Sequence, residues 1–110
     1  MWLVVYLPEA ESERSALPKT EIAALINADA KLRALGPALG YPHSSAVRGA
    51  PGLRELRPRG GRSPWRALYR QVGDRFVVAA VGAEAQADPR SFNRACRAAL
   101  RRLADIEGKE

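Results

Sequence analysis

Eight arginines fall within residues 48–75 of this chain: Arg48, Arg54, Arg57, Arg59, Arg62, Arg66, Arg70 and Arg75. Only Glu55 and Asp74 oppose them, so this segment carries +6. The flanks nearly cancel, at −1 over residues 1–47 and +1 over residues 76–110, and the net charge of +6 is therefore concentrated in one stretch. Every cation in it is arginine, whose planar fork donates two bonds to one phosphate and whose face stacks on bases. This points to an anionic partner; a merely solubilising surface is the alternative. Three other groups could do chemistry beside the arginines. Glu55, the only carboxylate between Asp29 and Asp74, could take a proton or pair with a neighbouring arginine. His43 is the only histidine and the only side chain whose unperturbed pKa lies near neutrality, but it sits in a loop. Tyr69 could stack on a base or pack with Trp65 on a covered sheet face.

The rest of the composition narrows the class. One cysteine, Cys96, and one histidine provide neither an internal disulfide nor a zinc site, which suits a reducing cytoplasm. Met1 to Leu7 is apolar but has no basic leader, and it breaks at Pro8 into the acidic Glu9-Ala10-Glu11-Ser12-Glu13. It reads as a strand, too short to cross a membrane. At 110 residues with 46% hydrophobic content, residues 1–110 are expected to form one domain with its own core.

The elements that would hold these groups can be read in order. A first strand is expected from Trp2 to Leu7, then a short acidic helix from Glu9 to Leu17 that Pro18 ends. A second helix spans Lys19 to Leu35, with Thr20 as its cap, Gly36 as its stop, and Ile22, Leu25, Ile26, Leu32 and Leu35 at helical spacing. The two form a helical hairpin, and Gly36 to Gly52 forms a loop. Leu53 to Arg57 is polar enough to be an edge strand. A turn over Arg59 to Pro64 leads to a strand from Trp65 to Val72, with Arg66, Leu68, Arg70 and Val72 on one face and Trp65, Ala67, Tyr69 and Gln71 on the other. Gly73-Asp74 turns the chain into Phe76 to Val81, apolar on both faces as a central strand should be. The last helix spans Pro89 to Glu107, capped by Asp88. Phe92, Ala95, Cys96, Ala99, Leu103 and Ile106 line one side, with Arg90, Arg94, Arg97 and Arg101 on the other, solvated side.

The ordered motifs resemble the HigB-like, phage-derived branch of the RelE/ParE toxin superfamily. The family pattern of a helix ending in Leu-Gly, then Leu-Gly-x-Pro, then Gly-Leu-x-Glu-Leu-Arg, then Arg-x-x-Tyr reads here as Leu35-Gly36, Leu39-Gly40-Tyr41-Pro42, Gly52-Leu53-Arg54-Glu55-Leu56-Arg57 and Arg66-Ala67-Leu68-Tyr69. The apolar strand Phe76 to Val81 and the helix after Asp88 complete it. The resemblance implies an α+β fold of β-α-α-β-β-β-α order, with a twisted, mainly antiparallel sheet between an N-terminal helical hairpin and a C-terminal helix. It also implies a cytoplasmic type II toxin that enters the ribosome and cleaves mRNA by attack of a ribose 2′-hydroxyl on the adjacent phosphate, without a metal or any other cofactor, and a cognate antitoxin of helix-turn-helix type. Arg57, Arg66 and Tyr69 would then be the catalytic set, with the two arginines clamping the phosphorane. Arg48, Arg54, Arg59, Arg62 and Arg70 would hold the RNA backbone.

The chain departs from that pattern at one place. Where most relatives supply a lysine or arginine pair after the apolar strand, this chain has Val81-Gly82-Ala83-Glu84-Ala85-Gln86, and Phe92 stands near the position where some relatives have an aromatic hydroxyl. Two further functions therefore stand beside the endonuclease: an RNA- or ribosome-binding relative that does not cut, and a gyrase inhibitor like the ParE branch.

Overall fold

The strand Arg75–Ala83 is the centre of the molecule, and its sequence explains why. Phe76 through Ala83 are all buried, and no position along that run carries a charge. In the computed structural model, which describes residues 1–108, this strand (β5) lies between Leu3–Tyr6 (β1), parallel to it, and Trp65–Val72 (β4), antiparallel to it. Arg54–Leu56 (β3) continues outward from β4, and Ser44–Ala46 (β2) ends the sheet, giving the order β1-β5-β4-β3-β2.

Pro8–Ser15 (α1) and Lys19–Leu35 (α2) form the expected hairpin. Their apolar residues share one core with Val4, Leu56, Ala67, Tyr69, Phe76, Val78 and Val81. Pro89–Glu107 (α3) covers the other face, where Ala99 and Leu103 pack on Leu53, Leu68, Val77, Ala79 and Ala80. A register shift opposite Leu68/Tyr69 adjusts the central strand to both layers. It leaves Ala79 as the extra residue, so that Ala79 and Ala80 both face α3 and Val81 returns to the hairpin side. Such a bulge re-aims side chains without breaking the pairing on either flank. Each fully buried leucine in these layers contributes about 1.5–3 kcal/mol.

The span of α2 is the expected one, but Thr20 is not its cap. Pro18 occupies that position and no side chain caps the helix. Gly36 does end it, with φ +55, and a Cβ there would run into the Trp2 indole. Both the left-handed backbone and the close approach call for glycine. The loop expected over Gly36–Gly52 contains a short 3₁₀ turn (Gly36–Ala38) and β2. This corrects the place of β3: it is flanked on both sides, and Ser44–Ala46 is the edge. Ser44-Ser45-Ala46 has no strand-like pattern of its own, and it extends because β3 offers unpaired backbone groups.

Candidate functional site

The arginines of residues 48–75 do not share one face. Strand alternation sends Arg54 to the side of Tyr69 and sends Glu55 to the side of Leu68, where Arg66 and Arg70 also project. Most of the guanidiniums are then taken up by protein groups. Arg54 donates from Nε to Ser44 Oγ at 3.0 Å, its one side-chain bond among the described residues, and is set apart by its place on the Tyr69 side of the sheet. Arg59, at φ +55, reaches back to α2, where Nη1 lies 2.8 and 3.0 Å from the Glu21 carboxylate oxygens and Nη2 donates to the Thr20 carbonyl at 3.1 Å. Its two bonds, with one from Ser63, hold the Glu21 carboxyl below the usual carboxylate range. Arg70 bonds Glu107 at 2.9 Å and the Pro51 carbonyl at 3.3 Å at the far end of the sheet. Arg75 lies beside Asp74 in the β4–β5 turn. Arg48 is exposed on the β2–β3 connection.

Three of the arginines converge. Arg57, Arg62 and Arg66 line an open cleft of ≈ 530 Å³ together with Tyr41, Glu55 and Glu84. Arg66 forms its floor. It is 3% exposed and donates to the carbonyls of Ser63 (2.7 Å), Trp65 (2.9 Å) and Gly61 (3.2 Å) and to Glu55 (3.2 Å). Burial and the adjacent Arg57 charge pull its pKa below the ordinary value, while Glu55 and Glu84 oppose that shift. A guanidinium so engaged fixes the Pro58–Pro64 turn and supplies a positive field, but it has few donors left for a ligand.

Arg57 forms the wall. Its Nε donates to the Pro42 carbonyl at 3.0 Å and its Nη1 to Glu55 at 3.0 Å, and its guanidinium lies 5.1 Å from the Tyr41 ring centroid. Gly61, at φ +94, makes room for it, since a Cβ there would come within 2.5 Å of Nη2. Arg62 is exposed at the mouth and, among the described residues, spends only Nε, on the Arg59 carbonyl. Its two terminal nitrogens remain for a phosphate. Glu84 occupies the fourth side, accepting from the Gln86 and Ala87 amides at 3.1 and 2.6 Å and lying 4.0 Å from Arg66 Nη2. A carboxylate thus stands where the family pattern has cations.

Tyr69 lies elsewhere. It is 2% exposed, its hydroxyl shares a hydrogen bond with Ser44 Oγ, and its ring meets Phe76 edge-on at 5.7 Å. No face of the ring is open to a base, because strand parity directs it into the α1–α2 core. Its partner there is Phe76 and not Trp65. His43 is half-buried on the α2 side of Arg57, with Nδ1 3.5 Å from Lys31 Nζ, and does not line the cleft. Cys96 packs between α3 and the sheet, where burial raises its thiol pKa. Tyr41 is the cleft residue that pattern reading missed. It is 77% exposed at the rim, and the available signal was an aromatic beside Pro42 ahead of the arginine stretch. Among the described residues there is no cluster of three or more groups able to hold a metal, and no helix is long and apolar enough to cross a membrane.

This cleft can hold a phosphodiester. Arg62 offers two free donors, Arg57 a partly free one, Tyr41 a ring for a base, and Arg66 a buried charge behind them.

The fold has known counterparts. A free mutant form of the E. coli toxin RelE superposes with a TM-score of 0.63 at 18% identity, covering 87% of this chain and 95% of that one. A chain of the intact E. coli RelBE toxin–antitoxin complex also matches (TM-score 0.59, 19% identity, 76% of this chain and 98% of that one). The Mycobacterium tuberculosis RelBE2 toxin–antitoxin complex gives a TM-score of 0.58 at 22% identity, over 76% and 98% of the two chains. No curated protein matches the chain by sequence. The family model described as phage-derived protein Gp49-like (DUF891) matches residues 12–87, the stretch that contains α2, the β2–β5 sheet and the whole cleft. On that match and that architecture, the chain belongs to the phage-derived Gp49-like family and has the RelE-like α+β fold.

Proposed function

We propose that this protein is the toxin of a type II toxin–antitoxin pair, of the HigB-like branch, and that it arrests translation in the cytoplasm by binding mRNA on the ribosome through the Arg57–Arg62–Arg66 cleft. The observation that carries this is the convergence of three arginines on one open cleft while the other arginines of residues 48–75 are dispersed or internally paired. The shared fold with RelE toxins and with toxins held in antitoxin complexes supports the toxin role and an antitoxin partner.

Cleavage is the second reading, and Glu55 favours it. A carboxylate beside two guanidiniums could accept the 2′-hydroxyl proton as that oxygen bonds to phosphorus, while Arg57 and Arg62 hold the phosphorane. The phosphorane's bond to the next nucleotide's 5′-oxygen then breaks, that oxygen taking a proton and leaving a 2′,3′-cyclic phosphate. Against fast cleavage stand Glu84 at the cleft wall and the burial of Tyr69. Losing a positioned donor commonly slows such a reaction by two to three orders of magnitude, roughly 10²–10³-fold.

Induction of the protein alone, followed by growth measurement and primer extension on translated messages, tests both. Growth arrest with cuts inside codons supports the endonuclease. Arrest on intact messages supports binding without cleavage. Normal growth, with no affinity for ribosomes or RNA, overturns the proposal, and inhibited supercoiling by the purified protein would assign it to gyrase instead.

A further inference from the structure

The outward face of α3 carries Arg90, Arg94, Arg97 and Arg101, all exposed and none bonded to an acid among the described residues. No acidic residue occurs on α3 before Asp105, and Arg102, the fifth arginine, is turned inward to Glu13 and the Ala79 carbonyl. Spacings of four, three and four residues put the four guanidiniums in one row, since residues three and four apart neighbour each other on a helix. The row is about 16 Å long at the helical rise of ~1.5 Å per residue. Arg94, Arg97 and Arg101 also line a groove of ≈ 410 Å³ with Val81, Gly82, Ser91 and Glu13. The one carboxylate in that groove is already matched, because Glu13 takes Arg102 at 3.1 Å and the Val81 amide at 3.0 Å.

The row begins where the cleft ends. Glu84, Ala85 and Gln86 form the cleft's fourth side, and the same loop runs directly into the start of α3 at Pro89 and Arg90. We infer that the α3 arginines form a second track for an RNA backbone, which continues the Arg57–Arg62–Arg66 cleft past the 84–88 loop and holds several nucleotides by their phosphates. This inference rests on the RNA-binding reading of the cleft and extends it. An acidic protein segment would meet the same charge, but stable protein interfaces also require buried apolar anchors. The exposed large apolar side chains are Met1, Leu3, Ile26, Leu35 and Tyr41, and none is on α3. A row of arginines with no apolar anchor suits a phosphate chain, and it reads no sequence.

The test uses the full chain, a four-nucleotide RNA that fills only the cleft, a twelve-nucleotide single-stranded RNA and a poly-glutamate peptide. Each is fluorescently labelled and titrated by anisotropy at several salt concentrations. The variants are the triple Arg94→Gln/Arg97→Gln/Arg101→Gln and the cleft variant Arg62→Gln, with helix content checked by circular dichroism. We expect the triple variant to bind the twelve-nucleotide RNA at least tenfold more weakly and to lose about 2 from its salt slope, as single-stranded RNA contributes ~0.7 per neutralised phosphate. Its affinity for the four-nucleotide RNA should stay as in the unaltered chain, whereas Arg62→Gln should weaken both. An unchanged twelve-nucleotide isotherm in the triple variant overturns the track and leaves the cleft reading standing. Loss of poly-glutamate binding with unchanged RNA binding overturns it in favour of an acidic protein. If Arg62→Gln alters neither RNA while the triple variant alters the longer one, the cleft reading fails, and with it the continuous track, leaving α3 as an RNA-binding face by itself.

Discussion

Glu55 Oε1 lies between two guanidiniums, accepting from Arg57 Nη1 at 3.0 Å and from Arg66 Nε at 3.2 Å. One carboxylate thus serves the buried arginine and the half-buried one at once, and it lowers the positive field that the cleft presents. Glu55→Gln keeps an acceptor oxygen but removes the charge. It should tighten binding of a short RNA several-fold, and it should lower stability by about 1–3 kcal/mol because Arg66 remains buried beside a weaker partner. Anisotropy and urea unfolding on the same protein check both signs. Weaker RNA binding would mean that Glu55 contacts the ligand directly.

Arg57 and Arg66 bear the same charge but should fail differently. Arg66→Ala strands the Ser63, Trp65 and Gly61 carbonyls and leaves Glu55 with one partner. A loss of roughly 3–5 kcal/mol in stability is expected, and Arg66→Lys should recover little of it because an ammonium cannot match the fork. Arg57→Ala breaks a more exposed pair, so its stability cost should stay below about 1 kcal/mol while RNA affinity falls. Chemical denaturation curves read beside RNA titrations separate the two roles.

Tyr69 is expected to act through packing. Tyr69→Phe removes the bond to Ser44, the hydroxyl that also accepts from Arg54. It should cost about 1–3 kcal/mol in stability, with RNA affinity nearly unchanged. Ser44→Ala should cost a similar amount, and the double variant less than the sum, since both break one bond. A large loss of RNA affinity in Tyr69→Phe at unchanged stability would assign the phenol to the ligand.

Stability should fall as pH rises from about 4 to about 6 through Asp29. This carboxylate is 2% exposed beneath the α1–α2 hairpin, with both oxygens on the Tyr6 hydroxyl at 2.8 and 3.0 Å and with Arg14 at 3.7 Å. Burial raises its pKa to about 6, against the Tyr6 hydrogen bond and the Arg33 and Arg14 charges. The same burial and the Asp29 charge push the Tyr6 phenol upward. A folded pKa above the unfolded one means that the folded chain holds the extra proton between the two values. The contribution is complete below the unfolded pKa and is lost as pH climbs through the folded one. A shift of that size corresponds to on the order of 3 kcal/mol. Urea midpoints across this pH range should show the slope, and Asp29→Asn should flatten it.

Local rules carry far in this chain because much of its order is punctuated locally. The span of α2 follows from helical spacing between Pro18 and Gly36, and the start of α3 from Asp88-Pro89, whose carboxylate does accept the Ser91 amide at 3.0 Å. The unbroken apolar run after Gly73-Asp74 correctly marks a strand covered on both faces. A concentration of arginine is equally legible, and so is the alternation that separates Arg66 from Tyr69. The destination of each arginine is not, because its partner lies far away along the chain. Arg59 meets Glu21 across 38 residues, Arg70 meets Glu107 across 37, and Arg102 meets Glu13 across 89. Charge and periodicity are properties of a segment, so the sequence by itself determined the elements other than the Ser44–Ala46 edge strand, their order and the sign of the surface. Which guanidiniums are consumed and which face a ligand depends on distances between segments, and only the tertiary structure decided that Arg57, Arg62 and Arg66 share a cleft while Tyr69 is shut inside the core.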